Sequence, residues 1–203
     1  MALQNRMTPF GELLADPARG LFMGNRGGRL HDDDRRLASR RWTSKAWICC
    51  RLRFNDRHRT VWGRGYTELF FLDEVTALAA GHRPCFECRR QDAIAFARYW
   101  ARGGAERARA AEMDRVLHAE RLAGRAKRIH RPRKLPDGAV VILTDAPQSA
   151  FAVRGDALLR WTPAGYAGAR KHADASIAGL LTPPGIVAVL AAGYAPQWHP
   201  SAG

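Results

Sequence analysis

Lysine is scarce in this chain of 203 residues: Lys45, Lys127, Lys134 and Lys171 are the only ones among 33 basic side chains, so arginine carries nearly all the positive charge. Acidic residues are also few, 19 in all, which leaves a formal net charge of +14. No apolar run approaches the roughly 18 residues a membrane helix needs, so no membrane contact is expected. The first ten residues lack the apolar core of a secretory signal, and the expected location is cytoplasmic. Only four cysteines occur, two of them in a Cys-x-x-Cys spacing. That is too sparse for a disulfide framework and points to a reducing compartment and to metal. No Ser-His-Asp signature, phosphate-binding loop or dinucleotide fingerprint is visible, which removes support for standard hydrolase and nucleotide-enzyme readings.

What is present is a strongly cationic, arginine-rich surface. Guanidinium groups make planar, bidentate contacts with phosphate and guanine, so a nucleic acid is the expected partner. The length allows one or two small domains with a sizeable core.

The most informative stretch runs from Tyr66 to Arg90. Thr67 to Leu72 is short, aromatic and apolar, as a buried strand should be. Asp73 is placed to cap a helix over Glu74 to Ala80, Gly81 supplies a left-handed residue to close it, and Pro84 prevents its continuation. Cys85 and Cys88 follow directly. On a tight turn, two thiolates at this spacing can converge on one ion about 2.3 Å from each sulfur. A redox dithiol would instead open a helix after a strand. Zinc is the expected cofactor because thiolates suit it.

Zinc takes four ligands, so two more must come from elsewhere. In Trp47-Ile48-Cys49-Cys50-Arg51-Leu52-Arg53-Phe54, Cys50 shares a face with Ile48, Leu52 and Phe54, whereas Cys49 shares the other with Arg51 and Arg53. Cys50 is therefore the expected third ligand, with Cys49 as its substitute. His31, after the glycine-rich turn Gly24 to Gly28, is the expected fourth, and His82 and His58 are alternatives.

The run F-F-L-D-E-V-T-A-L-A-A-G-H-R-P-C-F-E-C-R-R resembles the second half of the zinc-binding domain of Ada-type DNA methylphosphotriester repair proteins. Arg83, Pro84, Cys85, Cys88 and Arg89 match that family's Arg-Pro-Cys-x-x-Cys-Arg pattern. The resemblance covers about a tenth of the chain well, or a third if the strands from Gly24 are included. It implies a small α/β zinc module that contacts DNA. Where the family carries two further cysteines as Cys-x-x-x-Cys, one of them the methyl acceptor, this chain has the adjacent Cys49 and Cys50.

Around this centre, residues 47–54 and 59–63 read as strands joined by a polar turn at 55–58. The N-terminus reads as an arm with one helical turn after Thr8, and Asp32 or Asp33 as the cap of a helix reaching Arg41. Two helices are expected over 91–102 and 105–122. A basic segment, 125–134, follows. Strands are expected at 139–144, 150–154 and 157–161, an exposed loop at 167–178, and a helix from Pro183 to Ala192. Leu78-Ala79-Ala80-Gly81 is echoed by Leu190-Ala191-Ala192-Gly193, without cysteines.

The expected fold is α+β: a small antiparallel sheet with a Cys-x-x-Cys zinc knuckle (1–103), a helical middle segment and basic linker (104–134), and a second small α+β subdomain (135–203). The expected metal ligands are Cys85, Cys88, Cys50 and His31. The expected nucleic-acid contacts are Arg51, Arg53, Arg83, Arg89, Arg90, Arg128, Arg131 and Arg133. The leading expectation is a zinc-stabilised DNA- or RNA-binding protein without catalytic residues. The alternatives are an enzyme using Cys50 as alkyl acceptor and a zinc-stabilised protein–protein adaptor.

Overall fold

The computed structural model describes residues 2–57, 60–101, 107–123 and 135–203. Its architecture is α+β, with two antiparallel-rich sheets and four α-helices among the described residues. The first sheet is built from β1 (Gln4–Met7), β2 (Leu13–Ala15), β3 (Phe22–Asn25), β4 (Ile48–Arg51), β5 (Leu69–Phe71) and β6 (Arg83–Pro84), in the order β2-β1-β5-β3-β4-β6. It is mixed: β1 runs parallel to β5, and β4 parallel to β6. The second comprises β7 (Val140–Leu143), β8 (Ala146–Arg154), β9 (Ala157–Thr162), β10 (Gly165–Lys171) and β11 (Ile177–Leu180), in the order β10-β9-β8-β7-β11, and is wholly antiparallel.

Helix α1 (Glu74–Ala79) holds the layers together. Every one of its residues is buried: the small apolar side chains let neighbours approach on all sides, and the Glu74 carboxylate is matched by Arg89 at 2.8 Å. Ala77 packs with Met7, Phe22, Leu69 and Phe71 of the first sheet. Val75 and Ala79 pack with Val140, Ala150 and Ala152 of the second and with Leu181 just after β11. Leu78 enters a third core with Phe96 of α2 (Arg90–Trp100), Met113 and Leu117 of α3 (Ala110–Leu122), and Ile186 and Leu190 of α4 (Pro184–Ala191). Gly81 adopts the left-handed conformation, φ +82°, that the helix end requires. Gly193 does the same after α4, and Leu78 and Leu190 of the two echoed strings meet in one core.

Asp73 caps α1, as the sequence predicts. Its Oδ1 accepts from the Thr76 amide and hydroxyl, both at 2.8 Å. Its Oδ2 accepts from the Tyr166 hydroxyl at 2.8 Å and the His199 amide at 3.1 Å, tying the helix to the second sheet and the C-terminal segment. Burial raises this carboxyl above its usual range, against hydrogen bonds that lower it. A raised value means that the folded chain holds the proton more tightly than the unfolded one. The contribution is complete below the ordinary carboxylate pKa of about 3.9 and is lost as pH climbs through the folded value. Asp73→Asn, which cannot titrate, is therefore expected to gain stability relative to the parent as pH rises above the ordinary carboxylate pKa of about 3.9. Melting temperatures at matched ionic strength check this, and a variant that loses ground to the parent over the same rise would refute it.

Several local expectations are corrected. The N-terminal arm forms β1 and β2 rather than a helical turn, since Asn5 and Met7 are buried against the sheet. Residues 33–41 are not helical: Asp32 Oδ1 accepts from the Arg36 amide across a tight turn in which Arg35 has φ +59°. Residues 60–63 form a turn rather than a strand, with Trp62 at φ +56°. The stretch 167–178, expected as an exposed loop, falls largely within the two edge strands of the second sheet, Gly165–Lys171 and Ile177–Leu180.

Candidate metal centre and its cleft

Register decides which cysteines meet. The parallel pairing of β4 with β6 sets Ile48 beside Arg83 and Cys49 beside Pro84, so the next residues, Cys50 and Cys85, emerge side by side. The Cys85 amide donates to the Cys49 carbonyl at 3.0 Å, continuing the ladder past the strand end. The chain then turns, with the Arg89 amide donating to the Cys85 carbonyl at 3.0 Å, and Cys88 swings back over the same face. The sulfurs of Cys50, Cys85 and Cys88 all lie within 4.8 Å of one another, and all three residues are buried.

The donor set fits a thiophilic ion. The Glu87 amide donates to Cys85 Sγ and the Arg51 amide to Cys88 Sγ, each at 3.4 Å, and such bonds favour the thiolate. Hydrogen bonds from the Cys50 and Cys88 thiols hold Cys85 well below the ordinary thiol range, while the same sharing pushes Cys50 up. Three sulfurs this close cannot all ionise beside one another without a cation between them. A tetrahedral zinc ion with bonds of about 2.3 Å needs sulfurs about 3.8 Å apart, a separation within this cluster's span. Cys50, Cys85 and Cys88 would therefore hold such an ion, leaving one coordination position to another donor.

The other expected ligands stand elsewhere. Cys49 projects to the opposite face, as strand alternation requires, where its sulfur accepts from Arg89 Nη1 at 3.4 Å and burial pushes its thiol up. His31 does not join the sulfurs. Its Nδ1 lies 2.6 Å from Thr67 Oγ1, its Nε2 lies 3.0 Å from the Gly63 carbonyl, and its ring stacks on Trp62 at 5.1 Å. Both ring nitrogens are thus already satisfied. His82 is buried against Trp47 and Phe71, and burial together with Arg26 and Arg121 drives its pKa well below the ordinary value. His58 lies outside the described residues.

All three cysteines line an open cleft of about 510 Å³, together with Arg51, Arg53, Arg57, Phe54, Tyr66 and Phe70. Arg51 and Arg53 are exposed and make no ion pair among the described residues. Arg57 pairs with Glu87 at 2.7 Å, but both side chains are half-exposed and the bond is correspondingly weak.

Two arginines expected on the surface turn inward instead. Arg83 makes a bidentate pair with Asp114, at 2.8 and 2.7 Å, with both side chains more than nine-tenths buried. Arg89 pairs with the buried Glu74 at 2.8 Å. Neither can reach a nucleic acid, because each guanidinium is consumed by a carboxylate from a distant element. Arg90 is exposed at the start of α2. Arg128, Arg131 and Arg133 lie outside the described residues. The signal that could have placed Arg83 and Arg89 was the partner: Glu74 in an otherwise apolar helix, and Asp114 on the Met113–Leu117 face of α3.

Comparison with family models, curated proteins and solved structures finds no match to this chain. Among the described residues, no helix is long and apolar enough to cross a membrane.

Proposed function

We propose that this protein binds nucleic acid through an arginine-lined cleft whose shape is fixed by a structural zinc ion on Cys50, Cys85 and Cys88. The observation that carries the reading is the sharing of one cleft by the three sulfurs and by Arg51, Arg53 and Arg57. The exposed guanidinium groups suit phosphate, and the partly buried rings of Phe54, Tyr66 and Phe70 give the cleft an aromatic lining suited to bases. The net charge of +14 adds long-range attraction for a polyanion. The short resemblance to Ada-type zinc domains favours DNA.

The test is fluorescence anisotropy with single- and double-stranded oligonucleotides across a salt series. Affinity is expected to fall steeply with salt, by about 0.9 log unit per log unit of salt for each phosphate contact on duplex. Arg51→Ala with Arg53→Ala is expected to weaken binding about tenfold or more and to flatten the slope by about two contacts. Salt-independent binding, or a double variant that binds like the parent, would leave the reading without support and favour the protein–protein adaptor.

A second reading is favoured by one specific observation. Three described protein ligands leave a coordination position, the arrangement of reactive rather than closed zinc sites. On this reading Cys50 is a metal-activated thiolate that accepts a methyl group from an alkylated phosphate, forming a thioether and releasing the phosphodiester. Gain of one methyl mass on the Cys50 peptide after incubation with methylated DNA is the distinguishing result. An unchanged peptide would return the site to a purely structural role.

A further inference from the structure

A second cavity gathers positive charge outside the metal cleft. It has a volume of about 520 Å³ and is lined by Arg26, Arg41, Arg121, Trp42 and Trp47, with Glu12 the one carboxylate lining it among the described residues. Glu12 is exposed, whereas Arg26 is only 2 % exposed. A volume of this size suits a small organic ligand.

Arg26 is the anomaly. Buried guanidinium groups are ordinarily matched by a carboxylate, as Arg83 and Arg89 are in this chain. Arg26 has no carboxylate partner among the described residues. It donates instead to four neutral acceptors: His82 Nε2 and the Arg41 carbonyl at 3.4 Å, Met7 Sδ at 3.3 Å and the Gly11 carbonyl at 3.2 Å. All four are longer than the roughly 2.7–2.9 Å typical of a guanidinium bound to an anion. Burial, with Arg121 and Arg41 nearby, pulls its pKa down to about 9.

The surroundings repeat the theme. The Arg26 and Arg121 guanidinium groups lie 3.8 and 4.3 Å from the centre of the Trp47 ring. Trp47 is itself 6 % exposed, and its buried Nε1–H has no acceptor among the described residues. Trp42, 37 % exposed, stands 6.3 Å from Trp47 and also lines the cavity. Three guanidinium groups thus line one partly aromatic cavity, and the outer two also donate to neutral acceptors: Arg41 Nη1 to the Ala38 carbonyl at 2.6 Å, and Arg121 to the Gly81 carbonyl at 3.0 and 2.6 Å and the Lys45 carbonyl at 3.0 Å.

We propose that this cavity binds a phosphomonoester, its terminal oxygens held by Arg26, Arg41 and Arg121 and its organic portion set against Trp42. A dianion answers this excess of cations better than a carboxylate does, and its three terminal oxygens match converging planar donors. A backbone phosphodiester is disfavoured: it carries one charge, and its flanking sugars keep it away from a guanidinium sunk below the surface. The phosphomonoester has two sources, a free mononucleotide or the 5′ end of a nucleic acid.

The experiment is calorimetric titration of the full chain, with tryptophan fluorescence as a second readout. The probes are inorganic phosphate, adenosine monophosphate, adenosine, and one oligonucleotide carrying either a 5′-phosphate or a 5′-hydroxyl. Phosphate and the monophosphate are expected to bind, and adenosine to bind at least about tenfold more weakly than the monophosphate, a loss of about 1.4 kcal/mol. Preference for the 5′-phosphorylated oligonucleotide assigns the site to a nucleic-acid end, and equal binding of the two oligonucleotides assigns it to the small molecule. Arg26→Met is expected to abolish binding. Arg41→Gln, on an exposed side chain, is expected to weaken it about tenfold without moving the melting temperature. Replacing Arg51 and Arg53 in the metal cleft is expected to leave the binding of inorganic phosphate and adenosine monophosphate unchanged. Absence of phosphate and monophosphate binding, adenosine binding as tightly as its monophosphate, or an Arg41→Gln variant with parental affinity would each overturn the proposal.

Discussion

Replacing Cys85 with serine is expected to remove about one zinc ion per chain and to lower the melting temperature by about 10–20 °C. The magnitude follows from what the ion replaces. Cys85 and Cys88 come from one turn and Cys50 from a strand 35 positions earlier in the chain, so the ion closes a contact between separate segments of the first sheet. Structural zinc supplies apparent folding free energies of about 10–16 kcal/mol in small finger peptides, which have little else. Here β4 and β6 are also joined by backbone hydrogen bonds, and Met23, Ile48 and Phe70 pack around the sulfurs. About 5 kcal/mol is therefore a reasonable share, and for a chain of this size each kcal/mol moves the midpoint by about 2–4 °C. Elemental analysis of the purified protein and a thermal melt check both parts. The control is Cys49→Ala. Its sulfur points to the opposite face and contacts Arg89, so this variant is expected to keep its metal and to lose only about 1–2 kcal/mol of packing. Equal metal loss from both variants would refute the assignment, as would full metal retention in the Cys85 variant.

The contrast between those neighbouring cysteines shows what the sequence makes legible. Strand alternation separates Cys49 from Cys50, and the Asp73 cap, Gly81 and Pro84 punctuate one short helix, because each signal is local. The choice of partners is not local. His31 looks like a ligand at the end of a glycine turn, yet Thr67 and Gly63, 36 and 32 positions away, occupy its nitrogens. Arg83 and Arg89 belong to a basic run beside a metal motif, but the carboxylates that claim them sit on α3 and α1. Nor does composition identify β10, whose residues Gly165–Lys171 are small, polar and mostly exposed. It lies at a sheet edge, where one neighbour supplies the hydrogen bonds and solvent accepts the side chains. In the same way, an acidic cluster that ordinarily opens a helix closes a turn here, because Asp32 bonds to the Arg36 amide instead.

Glu74→Ala is expected to destabilise the protein by about 3–5 kcal/mol, the cost of stranding one member of a buried ion pair. Glu74 and Arg89 are 1 % and 0 % exposed at the side chain and lie 2.8 Å apart. Arg89 also reaches Asp92 at 2.8 Å and stacks over Phe22 at 4.6 Å, joining α2 to the back of the first sheet. Glu74 accepts in turn from the Tyr194 hydroxyl at 2.7 Å and the Gln197 amide at 2.9 Å, drawing in the segment after α4. Burial, reinforced by Glu74, pushes the Tyr194 phenol well up, so it keeps its proton and remains a donor. Removing the carboxylate leaves a guanidinium, a phenol and an amide facing a void, and Asp92, more exposed, can neutralise only the first. The paired change Glu74→Leu with Arg89→Met should recover part of the loss, since an apolar replacement of a whole buried pair is often tolerated. Chemical denaturation of Glu74→Leu, Arg89→Met and the double variant yields the coupling energy directly. A double variant whose destabilisation equals the sum of the singles would show that the two charges stabilise the fold independently, and the account of α1 as the junction of both sheets would then rest on its apolar contacts alone.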